Sequence, residues 1–277
     1  MPSIKAILSE YDIHPRKSLG QHFLTHDGYL QAIARAANLT KSDTVLEIGA
    51  GVGNLTKILA AQGGKVIAIE FDKDMLRVLH GEIGNENVQI VEADALKIDF
   101  RSFRASGKMV VVGNLPYNIA TEIVFRLFDA RDCFSRMLLM TQLEVARRYA
   151  APAGSKEYGV LTVLSGLWAK IKIEMTVPAG AFHPRPKVDS AVVRFEMRDS
   201  AAADIHSPEM FSKIVHAAFS QRRKMLINSL TAGAYLGLDK AAVLKWLDRA
   251  GVDPGVRAQN LTIEDYARLE REFPSEK

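Results

Sequence analysis

The sequence predicts an α/β protein: a doubly wound, mostly parallel sheet with an antiparallel strand at its edge, followed by a small all-helical domain. Three observations lead there. From Thr44 to about Thr141, short β-rich runs alternate with amphipathic helical stretches. The runs are apolar nearly throughout, as strands are when helices cover both faces of a parallel sheet. Beyond the small, polar stretch SAAADIHSP (200–208), only helical patterns follow.

Taken in order, TVLEIG is a strand, NLTKILAAQ a helix, KVIAIE a strand and KDMLRVLHGEI a helix. NVQIVEAD and KMVVVGN are the next two strands, IATEIVFRLFDA a helix and RMLLMTQ a strand. Such βαβ repetition places sites at the carboxyl ends of the strands. YGVLTVLSGLWA then reads as a helix. KIKIEMTVP and SAVVRFEMRD read as two strands, paired antiparallel at one edge and joined by the loop AGAFHPRPKVD. EMFSKIVHAAF, RRKMLINSL, KAAVLKWLDRA and IEDYARLERE are the closing helices. The expected domains are residues 1–200 and 201–277.

The 277 residues are 48% hydrophobic, enough for a large core. A net charge of +4 permits an anionic partner without demanding one. The single cysteine, Cys133, excludes an intramolecular disulfide and reads as a small core residue. No apolar stretch is long enough to span a bilayer, and the N-terminus has acidic residues and no long apolar region of the signal-peptide kind. A cytoplasmic, membrane-free chain is the expectation, with a monomer the simplest state.

VLEIGAGVGNLT carries Glu47, Gly49, Gly51 and Gly53 between a strand and a helix. Glycines there let the backbone turn tightly and approach a ligand closely. The dinucleotide fingerprint G-x-G-x-x-G fails, because its sixth position is Asn54; a nicotinamide-linked oxidoreductase is disfavoured. What remains, E-x-G-x-G-x-G, is similar to the cofactor loop of S-adenosylmethionine-dependent methyltransferases. Glu70 ends the next strand, where a carboxylate can accept hydrogen bonds from both ribose hydroxyls. Asp94, after the third strand, could accept one from an adenine amino group. Each acid alone reads as a solvated strand end; the set points to a cofactor site.

GNLPYNI (113–119) follows the fourth strand, near the reactive end of such a cofactor. Pro116 stiffens the turn. The Asn114 side-chain carbonyl and a neighbouring backbone carbonyl can then point the same way, two fixed acceptors for an amino group. The exocyclic amine of adenine is a poor nucleophile, and acceptors that draw it out of the ring plane localise its lone pair. Positioning and electrostatics would supply most of the catalysis, without a metal. Tyr117 offers a face on which a flipped base can stack. Alone, the motif could be only a capped turn with a packed tyrosine.

With RKSLGQHFL (16–24), EIGAGVGNLT, GNLPYNIAT, AFHPRPKVDSAVV (181–193), AFSQRRKMLINSL (218–230) and RAQNLTIEDYARL (257–269), the chain resembles the ribosomal RNA adenine N6,N6-dimethyltransferases over almost its whole length, most closely the bacterial small-subunit group. The resemblance implies a Rossmann-like methyltransferase sheet and S-adenosyl-L-methionine as cofactor, with S-adenosyl-L-homocysteine as product. It implies cofactor contacts from Gln21, His22, Leu24, Glu47, Gly49, Gly51, Gly53, Glu70, Phe71, Asp94, Ala95 and Asn114. His22 and Leu24 would meet the methionine part. Asn114, Leu115, Pro116 and Tyr117 would hold the target amine, and Phe182 would give a second stacking face. The family's usual residue at position 22 is asparagine; here it is histidine. The implied substrate is a pair of adjacent adenosines in a hairpin loop near the 3′ end of small-subunit rRNA, presented in an immature 30S particle.

Basic pairs and triplets occur at Arg16–Lys17, Arg147–Arg148, Lys170 with Lys172, and Arg222–Arg223–Lys224. Any one is most often a solvated face. QRRKM interrupts an amphipathic pattern with three consecutive cations, which could neutralise phosphates. Arg147, Arg148, Arg222, Arg223 and Lys224 are therefore the RNA-docking candidates. Two rivals stand beside the leading reading: a large-subunit dimethyltransferase, and an assembly factor whose main work is binding the particle.

Overall fold

The computed structural model describes residues 4–16, 20–84, 86–103, 107–232 and 236–274; Lys17, one of the basic residues singled out above, lies outside them. The chain divides into two compact units, one of residues 1–146 and 172–197, the other of 147–171 and 198–277. The expected boundary near 200 is close to one of these divisions. The stretch 147–171, expected within the first domain, clusters instead with the helical unit.

The first unit holds a seven-stranded sheet, apart from the first three residues of its outermost strand. In chain order its strands are β2 (Thr44–Ile48), β3 (Lys65–Glu70), β4 (Val88–Glu92), β5 (Met109–Asn114), β6 (Phe134–Gln142), β7 (Ala169–Val177) and β9 (Ser190–Met197). Their spatial order is β4-β3-β2-β5-β6-β9-β7. The pairs β3–β4, β2–β3, β2–β5 and β5–β6 are parallel, and β6–β9 is antiparallel. The two late strands do lie side by side, with β7 outermost. Central strands are buried almost end to end, whereas edge strand β4 is only half-buried. That is the physical content of their apolar runs.

Helices α3 (Asn54–Gln62), α4 (Lys73–Glu82) and α5 (Ala120–Asp129) follow their strands as expected. The Asp72 carboxylate accepts the Asp74 N–H at the head of α4, removing an orphan donor. α5 buries Ala120, Ile123, Val124, Leu127 and Phe128, the 3.6-residue stripe of a helix lying on a sheet.

Several elements escaped the sequence reading. α1 (Ile4–Glu10), α2 (Asp27–Ala37) and α6 (Leu143–Tyr149) were not anticipated. Nor was a second, two-stranded sheet, in which β1 (Phe23–Leu24) pairs antiparallel with β8 (Phe182–His183). It forms between the motifs GQHFL and AFHPRP and anchors the N-terminal segment to the loop before β9.

The helical unit contains α7 (Val160–Trp168), α8 (Pro208–Phe219), α9 (Leu226–Thr231), α10 (Lys240–Arg249) and α11 (Ile263–Arg271). Its core includes Phe211, Trp246 and Tyr266. The polar tips of two of these are satisfied, as burial requires. Trp246 Nε1 donates to Leu269 O at 2.8 Å, and the Tyr266 hydroxyl to Ala258 O at 2.8 Å. Glu270 accepts the N–H groups of His206 and Ser207, tying the polar linker to α11. RRKMLINSL is not one helix: its cations form a turn and α9 begins only at Leu226. Among the described residues no helix is long and apolar enough to cross a membrane.

Candidate active site

The chain runs from β2 outward through β3 to β4, then returns to the other side of β2 as β5 and β6. The carboxyl ends of β2 and β5 therefore flank a switch point, the natural crevice of an open parallel sheet. Pairing Ile48 with Gly113 sets the two motif loops side by side. A Cβ on Gly49 would lie 3.4 Å from Asn114 O. One cavity occupies this position.

Its wall takes Glu47, Gly49 and Gly51 from the β2 end, and Glu70 and Phe71 from the β3 end. Asp94 and Ala95 follow β4, Asn114 to Tyr117 follow β5, and Gln21, His22 and Leu24 come from the N-terminal segment. The candidate residues thus converge from five places in the chain. Two do not reach the wall. Gly53 caps α3 with a positive φ, and a Cβ there would meet Ile83 at 2.9 Å; it serves the close packing of α3 on α4. Phe182 is 4% exposed and sits in the core beside Leu24, its partner across the two-stranded sheet. Leu24 itself lines the cavity, so Phe182 stands directly behind the wall.

Gly49 (φ +74°) and Gly51 (φ +57°) hold backbone conformations that side-chain-bearing residues rarely adopt. The loop is closed by Glu70. One of its oxygens accepts the Gly51 N–H at 2.9 Å, and the other accepts those of Phe71 and Asp72 at 2.8 and 2.9 Å. A carboxylate has about four acceptor positions, so one remains for a ligand hydroxyl before any of these bonds must yield. Burial pushes the Glu70 carboxyl up, against the three N–H bonds that favour its charge. Asp94 accepts the Leu96 N–H and pairs with exposed Lys97 at 3.7 Å. Phe71, 58% exposed, offers a ring face at the rim.

Beneath the glycine loop the wall is different. Glu47 is 1% exposed, and its Oε2 has no hydrogen-bond partner. Desolvation pushes its carboxyl up to about 8; the Thr56 hydroxyl lowers it and Glu70 raises it further. In the sequence Asn54 stands out only as the residue that breaks the dinucleotide fingerprint. It too lines the cavity, buried, with an unpartnered Oδ1. Buried unpaired acceptors are costly and call for a ligand donor. A methionine-type ammonium beside a glycine cradle meets that need, so the residues present fit S-adenosylmethionine.

At the β5 end, Asn114 Nδ2 donates to the His22 carbonyl at 2.9 Å. The amide is thereby turned so that Oδ1 is its unused end. Gly113 makes the approach of β5 to β2 possible. A Cβ there would meet Ile48 O at 2.9 Å and Leu115 Cδ2 at 3.1 Å. Gly113→Ala is expected to lower stability by about 1–3 kcal/mol through this overpacking, read as a shifted urea midpoint with unchanged slope. Gln21 braces the segment from the other side, donating from Nε2 to Asp72 at 2.6 Å.

In the helical unit, Arg147 and Arg148 are exposed at the end of α6. Arg222 donates to the carbonyls of Lys156 and Tyr158, so part of its donor set is used internally. Arg223 and Lys224 are exposed in the turn beside it.

Comparison with known proteins gives the chain's family. Residues 13–274 match the family described as ribosomal RNA adenine dimethylase. A protein of Anaeromyxobacter sp. (strain K) named ribosomal RNA small subunit methyltransferase A is 42% identical over 98% of this chain and 97% of its own length. A protein of Geobacter sulfurreducens with the same name is 43% identical over 93% of this chain and 94% of its own. Among solved structures, a dimethyladenosine transferase from Plasmodium falciparum superposes with a TM-score of 0.75 at 29% identity, covering 91% of this chain and 97% of that one. The 23S rRNA methyltransferase ErmE gives 0.69 at 27% identity, covering 91% and 99%. With a match across nearly the whole chain and a switch-point cavity built from its motifs, the protein belongs to the ribosomal RNA adenine dimethylase family.

Proposed function

We propose that this enzyme transfers methyl groups from S-adenosyl-L-methionine to N6 of two adjacent adenosines in the hairpin loop near the 3′ end of small-subunit rRNA, two per base, within an immature 30S particle. The observation that carries the reading is the orientation of Asn114, with its donor end tied to His22 O and its acceptor end unused. Relatives of about 42% identity named for the small subunit favour that substrate over the 23S RNA named for the 27%-identical structure. A monomer working in the cytoplasm is the simplest setting.

When bound, the cofactor supplies an electrophilic methyl group on a sulfonium. The chain's own residues do the rest. Asn114 Oδ1 and a neighbouring backbone carbonyl accept the two N–H bonds of the amine. This holds the nitrogen in line and draws its lone pair out of conjugation. Tyr117 stacks the extruded base. Transfer would form the N–C bond as the methyl–sulfur bond breaks, leaving S-adenosyl-L-homocysteine; the nitrogen would become cationic and pass its proton to water, and the fixed carbonyl dipoles would stabilise that developing charge. Glu70 and Asp94 hold the nucleoside part of the cofactor, and Glu47 faces its ammonium side. The arrangement calls for no metal.

We assign docking to the helical unit through Arg147, Arg148, Arg223 and Lys224, with Arg222 holding their turn. Replacing Arg223 and Lys224 by alanine is expected to weaken particle binding and to flatten its log–log salt slope by about 1–2. Salt titrations of binding read it.

The deciding experiment combines purified protein, labelled S-adenosylmethionine and small-subunit particles lacking the modification. Digestion and mass spectrometry should reveal N6,N6-dimethyladenosine at paired adenosines near the 3′ end. Methylation of large-subunit RNA alone would overturn the substrate. Cofactor binding without RNA methylation would favour the particle-binding factor.

A further inference from the structure

His22 is expected on the cofactor and lines its cavity, and its contacts within the fold run to two other loops. Its imidazole stacks on Tyr117, with centroids 5.4 Å apart and planes 23° from parallel. Its Nδ1 lies 2.7 Å from Pro184 O. A carbonyl only accepts, so Nδ1 carries the proton. The strand register explains the third bond. Thr25 N donates to Ala181 O at 2.8 Å, and hydrogen-bonded positions alternate along an antiparallel pair. Two pairs on in the register, Phe23 and His183 take the next bonded position, and the His22 backbone turns away from β8. Its carbonyl is then available to Asn114. Tyr117 is held at its far end as well, where its hydroxyl meets Ser190 Oγ.

We propose that His22 is a positioning residue for the target base: its ring, tethered by Pro184, backs one face of Tyr117 and sets the platform on which the adenine stacks. This rests on the RNA-methylating function proposed above. It makes the N-terminal segment part of substrate recognition, coupling the loop at Pro184 to the amine-holding loop through one side chain.

Three variants separate the roles. His22→Ala removes both platform and tether, His22→Phe keeps a flat face without the donor, and His22→Asn keeps a donor without the ring. Asn114 bonds the backbone, so all three leave that contact in place. The readouts are cofactor affinity by calorimetry, kcat and KM on unmodified particles, and the Tyr117 signal in 19F NMR of fluorotyrosine-labelled protein, assigned with Tyr117→Phe. His22→Ala should move the Tyr117 signal and lower kcat/KM roughly tenfold, within the range that base stacking spans. Because His22 also lines the cofactor cavity, cofactor Kd should weaken too, but by clearly less than kcat/KM. His22→Phe should restore most of the rate, and His22→Asn should not. An unmoved Tyr117 signal, or a cofactor Kd weakened as much as kcat/KM, would overturn the proposal. So would rescue by asparagine alone. If the wild type methylates no RNA, the functional reading fails and the base-side role with it, while the fluorine signal still reports whether the rings are stacked.

Discussion

Asn114→Ala is expected to lower methyl transfer by about 10²–10³-fold, the loss typical of one preorganised group facing developing charge. The change deletes the Oδ1 acceptor and the Nδ2 bond to His22 O. It leaves Leu115, buried in the wall, to anchor the turn. The amine then keeps one acceptor, and its lone pair stays in the ring. Asn114→Asp separates position from chemistry. It retains acceptors but sets a carboxylate against the His22 carbonyl, so repulsion should turn the group away and lower the rate as well. Single-turnover transfer measures the effect, and sedimentation with particles measures binding. A variant within tenfold of wild type would remove Asn114 from the mechanism. A variant that loses transfer but still binds particles and supports assembly would show the binding role standing alone.

The parts of this site legible in the sequence are those made locally. A glycine loop between an apolar run and a helix, and NLPY after another such run, announce themselves because strand, turn and helix are consecutive. The sheet order then brings Gly49 beside Asn114, and the rule that ligands meet strand ends does the rest. What stayed hidden depends on partners far apart in the chain. β1 and β8 are two residues each, too short for a period, and neither exists without the other. Phe182 is buried beside Leu24 through a pairing that nothing local in the sequence shows. The cations of QRRKM were expected inside a helix. Their turn is held by carbonyls of Lys156 and Tyr158, on a stretch assigned to the other domain. Asn54 failed one motif, and that failure concealed its presence in the wall of another.

Glu47→Gln is expected to raise the stability of the protein at neutral pH and to weaken cofactor binding. Glu47 stands in β2 between Ala68 and Val112, with no cation or backbone donor to offset its burial. Its carboxyl titrates near 8 in the folded protein, chiefly through desolvation, whereas the unfolded chain ionises it near the ordinary value of about 4.3. The folded pKa is raised above the unfolded one. The contribution to stability is therefore fully present below about pH 4.3 and is lost as pH rises to about 8, since across that window the unfolded state releases a proton that the folded state retains. At about 1.4 kcal/mol per unit over about 2.7 units, the loss reaches roughly 4 kcal/mol by pH 7. Glutamine has the same shape and no proton to hold, so the variant should match wild type near pH 4 and exceed it by about 4 kcal/mol at pH 7. Urea unfolding of both proteins at several pH values isolates the difference, and parallel curves would show that Glu47 is not a buried acid. Cofactor affinity should move the other way. Without a carboxylate for the ammonium it should fall about 10–100-fold, the value of a hydrogen bond to a charged group. A residue that weakens the fold and strengthens the complex is kept for the ligand; if both quantities rise together, Glu47 has no part in holding the cofactor.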